Sequence, residues 1–165
     1  MITPELAAFI GSGISVLVGT RDARLRPDCV RGAGVRADAE SGTLTVFLPA
    51  ATSERALANL ADNGRIAVTI TRAIDHRSLQ VKGGALEVRP STPEERREIE
   101  RYLELLAVDW GYVGVPRQAT KSMNHWPAFT VTLRCEKLFE QTPGPGAGGP
   151  LTRESAALSH GGGTA

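Results

Sequence analysis

The feature that most constrains this chain is the stretch Thr43 to Ile70, TLTVFLPAATSERALANLADNGRIAVTI. It reads as strand, polar turn, helix, strand. Thr43 to Leu48 is β-branched and apolar, and Pro49 ends it. Thr52 and Ser53 follow, both good helix N-caps. Glu54 to Asp62 carries Leu57 and Leu60 on one face of a predicted helix. Asn63-Gly64 stops that helix, and Arg65 to Thr71 returns as a strand. Two hydroxyls and Arg55 therefore gather where a helix leaves its first N–H groups unpaired, a place suited to a phosphate. The local pattern alone equally allows Ser53 to be a plain cap and Arg55 a solvent-facing charge.

Hairpin-like connections join the remaining segments. Thr3-Pro4 starts a short predicted helix. Ile14 to Gly19 is an apolar strand, and Thr20 to Pro27 a polar connection. Asp28 to Arg36 (DCVRGAGVR) is a strand interrupted by Gly32 and Gly34, which suggests a bulge or a close backbone approach. Ser78 to Arg89 is a long strand with paired glycines at 83 and 84. Thr92, Pro93 and Glu95 form a capping-box start for a helix with Ile99, Leu103 and Leu106 on one face. This helix is expected to fade near Asp109. Trp110 to Trp126 reads as irregular, and Phe129 to Glu140 as a final strand with clean alternation. From Pro143 onward the chain is Gly- and Pro-rich and is expected to be a flexible tail. The expectation is one domain over residues 1–141, with a tail over 142–165. Six short strands and two main helices point to an antiparallel barrel.

Composition narrows the function classes. The chain has 165 residues, 41% of them hydrophobic, and a formal net charge of +1. No general affinity for nucleic acid or an anionic membrane follows from that balance. No apolar run approaches the ~20 residues that span a bilayer. Cys29 and Cys135 are far apart and lie in strand-like runs, which fits a reduced cytoplasmic protein with buried, inert thiols. His76, His125 and His160 share no metal-type spacing, so no metal site is expected. Trp110, Tyr112 and Trp126 could wall a planar ligand, cover one barrel end or line a subunit seam.

In this order and spacing the segments VRGAGVR, TSERALANLADNGRIAVTI, RSLQVKGGALEV and HWPAFTVTLRCEKLFEQ resemble the pyridoxamine 5′-phosphate oxidase-like FMN-binding split β-barrels, over roughly residues 5 to 141. The resemblance implies a mainly β fold, a six-stranded antiparallel Greek-key split barrel. It also implies a homodimer with FMN at the subunit interface and a small-molecule substrate, in an FMN-dependent oxidoreductase. Carried across, Arg31 and Arg36 match the family's basic pair. Thr52 and Ser53 match its phosphate turn, and Arg55 the basic residue after that turn. Ser78 or Gln80 matches the polar contact to the flavin. The odd spacing of Arg31 and Arg36 puts them on opposite strand faces unless the glycines mark a bulge. No catalytic residue is assigned, because the flavin carries the electron chemistry. The oxidase branch ends in an Arg–His–Asp–Arg type stretch, whereas this chain has QTPGPGAGG, with no Arg or His before Arg153 and His160. A second, phosphate-bearing substrate finds no partner there, which argues against pyridoxamine phosphate oxidase activity itself. The alternative is a non-catalytic module on the same barrel that binds flavin, F420 or haem, with His76 and His125 as haem candidates.

Overall fold

The computed structural model describes residues 2–151. Alternating apolar residues fold into seven strand segments of one antiparallel sheet. They are β1 (Ser15–Arg21), β2 (Pro27–Arg31), β3 (Gly34–Asp38), β4 (Thr43–Pro49), β5 (Arg65–Thr71), β6 (Ser78–Pro90) and β7 (Ala128–Glu140). The sheet order is β2-β1-β5-β6-β7-β4-β3. β2 and β3 are the two arms of one bent strand, so the sheet curls back on itself as a half-open barrel. At the corner the Gly32 N–H donates to Val16 O and the Ala33 N–H to Phe47 O, one to each margin of the sheet. A Cβ at Gly32 would lie 3.0 Å from a Val16 methyl, a tight contact that favours glycine at the corner. The second strand of the sequence analysis is thus a single path broken at its glycines.

Every second residue points inward. Val30, Val18, Val68, Val81 and Leu138 form one register line across five strands, and all are buried. Val35, Val46 and Val131 continue the same core on the other arm. Burial of such side chains contributes about 1.5–3 kcal/mol each relative to exposure. Helix α1 (Pro4–Ile10) is capped by Thr3, whose Oγ1 accepts from the Leu6 N–H at 3.2 Å. It adds Leu6 and Ile10 to this core beside β3. Helix α2 (Glu54–Asn63) packs at the far end of β1, where Asn59 Nδ2 donates to Thr20 Oγ1 at 3.0 Å.

A second, smaller core sits outside the sheet. Helix α3 (Pro93–Tyr112) lays Ile99, Leu103 and Leu106 on Phe47, Ala33 and Ala128, with Trp110 and Trp126 packed at its margin. The capping box of the sequence reading is present, with Thr92 and Glu95 bonded to each other's N–H. Instead of fading near Asp109, α3 runs on to Tyr112. The buried Asp109 carboxylate accepts the Ala73 N–H at 2.9 Å, which ties the last turns to the β5–β6 loop. The segment expected to be irregular contains a further helix, α4 (Arg117–Lys121).

The first ten residues of the expected tail, 142–151, fold back along β7. Glycines with positive φ at 144 and 148 turn the chain. Gly148 N–H then donates to Glu140 O at 2.7 Å, and Leu151 N–H to Leu138 O at 2.8 Å. The remainder of that expectation, with Arg153 and His160, lies outside the described residues. Among the described residues no helix is long and apolar enough to cross a membrane.

Candidate functional site

Register places the outward-facing residues as firmly as the inward ones. Arg31 pairs with Leu17, Leu17 with Thr69, Thr69 with Gln80, and Gln80 with Phe139. These five form one line across the outer face of β2, β1, β5, β6 and β7. Three strand spacings separate Arg31 from Gln80, about 14 Å. The line below reads Cys29, Gly19, Ala67, Lys82, Lys137. Small side chains make the middle of this face shallow, and Leu17 is left 39% exposed. Gln80 Nε2 donates to Thr69 Oγ1 at 3.0 Å, which fixes the amide on the face.

Arg31 is the line's uncompensated cation. It donates to Ser15 Oγ at 2.9 Å and lies over the Trp110 ring at 5.2 Å. Among the described residues it has no carboxylate within ion-pair distance. Arg36 faces outward as well. The break at Gly32 and Ala33 restores phase, so Val30 and Val35, five residues apart, both enter the core. The bulge reading of the sequence therefore holds. The two arginines nevertheless stand about 16 Å apart along the strand. Arg36 is engaged by Glu98 and, at 3.6 Å, by Glu95, so its charge is already balanced.

Thr52, Ser53 and Arg55 come together at the start of α2. Ser53 is fully buried, and its Oγ makes neither a cap bond nor any other hydrogen bond. An orphan hydroxyl of this kind costs about 1–3 kcal/mol. Arg55 lines a cleft of about 470 Å³ with Arg24, Arg26, Asn59 and Asp22. Asp22 is held below the usual carboxylate range, first by its backbone hydrogen bond from Arg26. Arg24, beside Arg55, was not singled out in the sequence; it sits in a polar turn with nothing to mark it. The α2 group stands near the Arg21 end of β1, and the Arg31 line near its Ser15 end.

Ser78 is spent on structure. Its hydroxyl donates to His76 O at 2.8 Å and shares a hydrogen bond with the Thr71 hydroxyl at 2.9 Å. Of the two strand residues matched to the flavin contact, Gln80 is the one on the open line. The two tryptophans pack on the second core, Trp110 under Arg31 and Trp126 under Arg96, while Tyr112 is exposed. Cys29, expected to be buried, is exposed on the outer face. It neighbours inward Val30, and strand alternation turns it out. Cys135 is buried, and burial raises its thiol pKa. His76 is exposed in the β5–β6 loop with a left-handed backbone. His125 lines a cleft between α3 and α4. Among the described residues no cluster could hold a metal ion.

No family model matches this chain, and no curated protein matches it by sequence. Solved structures do match its fold. HupZ from Group A Streptococcus aligns with a TM-score of 0.53 and 21% identity, over 90% of this chain and 100% of that one. A protein from Lactobacillus delbrueckii, named provisionally a pyridoxamine 5′-phosphate oxidase, aligns at 0.52 and 17%, over 83% and 92%. An F420 reductase aligns at 0.51 and 14%, over 79% and 93%. The half-open antiparallel barrel with its few helices is thus the fold these proteins share, and this chain is a pyridoxamine 5′-phosphate oxidase-like split barrel in its architecture.

Proposed function

We propose that this protein is an FMN-binding flavoprotein of the oxidoreductase type, acting on a small molecule as a homodimer. The single observation that carries the proposal is the outer line Arg31, Leu17, Thr69, Gln80. It offers an unpaired cation at one end and a fixed amide at the other, over a shallow floor. The residues fit an anionic flavin. Arg31 would hold its charge, and Gln80 would orient its ring. Thr52, Ser53 and Arg55 offer a second anion-binding group at the α2 start, where the orphaned Ser53 hydroxyl lacks a partner. Arg36 contributes less, because two carboxylates already hold it. Bound FMN supplies the electron transfer; the chain supplies binding, orientation and exclusion of water. The second subunit completes the site by covering the shallow face.

F420 is also an anionic, flat-ringed cofactor, and one of the matching folds is an F420 reductase. Haem finds less support. His76 is exposed in the β5–β6 loop, and the His125 cleft is about 200 Å³, below the ~300–1,000 Å³ of ordinary ligand pockets. The test is a titration of the purified protein with FMN, followed by gel filtration. Flavin absorbance should co-elute at one per subunit, with the protein at twice its monomer mass. Losing a charge-assisted bond of about 1.5–3 kcal/mol in Arg31→Ala should weaken FMN roughly tenfold or more. The same titration of Arg55→Ala tells whether the phosphate sits at the α2 start. Uptake of F420 but not FMN shifts the reading to the deazaflavin, and refusal of both overturns it.

A further inference from the structure

The cleft between α3 and α4 is separate from the outer sheet line and shares no residue with it. Its floor is apolar: Leu103 and Ala107 from α3, and Thr120 from α4, whose hydroxyl is already bonded to Arg117 O at 2.9 Å. Its walls carry opposite charge. Glu104 stands on the α3 side, and Arg117 and Lys121, one helical turn apart, stand on the α4 side. Among the described residues these three charged groups form no ion pair, although Glu100 beside them is paired with Arg96 at 2.9 Å. The cleft thus keeps two carboxylates, Glu100 and Glu104, and two cations, Arg117 and Lys121, apart over an apolar floor, with no ion pair across it among the described residues. At about 200 Å³ it has the volume of roughly seven waters at ~30 Å³ each. His125 closes one end, its Nδ1 beside Met123 O at 3.1 Å.

We infer that the α3–α4 cleft is a binding site for a small zwitterion with an apolar body, of the class of free aliphatic or aromatic α-amino acids. The ammonium would face Glu104, the carboxylate would face Arg117 and Lys121, and the side chain would cover Leu103 and Ala107. Both charged groups are needed, because each wall recognises one of them.

The experiment is isothermal titration of the full chain with leucine and phenylalanine, and in parallel with isocaproate, which lacks the ammonium, and isopentylamine, which lacks the carboxylate. Saturable binding of an amino acid is expected, with each truncated analogue about tenfold or more weaker. Lys121→Glu reverses a charge on an exposed residue and should weaken the amino acid by at least a similar factor. Ala107→Phe fills the floor and should abolish binding; Lys121→Glu stands as the second variant if the bulky side chain disturbs folding. Isocaproate binding as tightly as leucine would overturn the inference, since the acidic wall would then be idle. So would absence of saturable binding by all four compounds in the millimolar range, which would reduce the cleft to a seam between two helices.

Discussion

Replacing Glu95 by glutamine isolates one buried charge. The Glu95 side chain is 8% exposed and accepts from Arg89 at 2.8 and 2.9 Å. It also accepts from the Thr92 N–H and Thr130 Oγ1, each at 2.8 Å. The Arg89 hydrogen bond is the largest cause of a carboxyl pKa lowered from 4.5 to about 2. At ~1.4 kcal/mol per factor of ten, that depression corresponds to roughly 3 kcal/mol of stability at neutral pH. Arg89 is itself 35% exposed, and solvent screening brings the expectation to about 2–3 kcal/mol. Glutamine still serves the capping box, so the loss reports the charge and not the helix cap. For a chain of this size the melting temperature should fall by about 5–10 °C. The folded-state pKa is depressed, so the contribution is complete above about 4.5 and is lost as pH falls toward 2. Differential scanning calorimetry of the two proteins across that range should show a constant gap at neutral pH that narrows in acid. Equal melting temperatures at neutral pH, or a gap that persists undiminished in acid, would refute the reasoning.

Three further outcomes follow from the packing. Tyr102→Phe removes a hydroxyl that donates to Ile14 O at 2.7 Å and accepts the Ile14 N–H at 3.2 Å; chemical denaturation should show a loss of about 1–3 kcal/mol. Gly13→Ala places a Cβ 2.1 Å from Leu105 Cβ at a residue with φ of +79°, so chemical denaturation should show a loss of more than about 1 kcal/mol. A thiol reagent should modify Cys29 rapidly and Cys135 slowly, as followed by mass spectrometry, and saturating FMN should slow Cys29 if the outer face binds it. Modification of Cys29 unchanged by FMN would count against that placement.

Local chemistry was legible from the sequence wherever it was self-contained. The Thr3 and Thr92 caps, the Gly64 stop and the alternation of β7 each depend on neighbours a few residues away. The hinge at Gly32 was visible as two glycines in a strand, and the bulge they implied is what turns Arg31 and Arg36 to one face. Partnership at long range was not legible. Nothing near Arg36 announces Glu95 and Glu98, about sixty residues later, and nothing near Gln80 says that it shares a line with Arg31. Cys29 was misplaced because its apolar neighbours suggested burial, while its facing depends on which residue of the strand enters the core. Over residues 142–151 the expected flexibility is not found, because glycine-rich composition signals freedom, yet two of those glycines make the reversal that returns the chain to β7.

The bent strand has a further consequence, for how the barrel closes during folding. β1 through β4 join in sequence by short connections and share the corner at Gly32 and Ala33; β5 and β6 form a hairpin, which β7 joins only after the α3–α4 segment. Among the described residues two seams join β1–β4 to the later strands. Val18 meets Val68 across one, and Val46 meets Val131 across the other. Loop-closure entropy grows with the length of chain enclosed, so the β4–β7 seam carries the larger cost. Contacts of that separation slow folding, whereas hairpin contacts do not. The hairpins can therefore assemble locally, whereas seating β7 against β6 and β4 is the expensive step, and α2, which connects β4 to β5, sits at the end of the β1–β5 seam, the cheaper of the two to close.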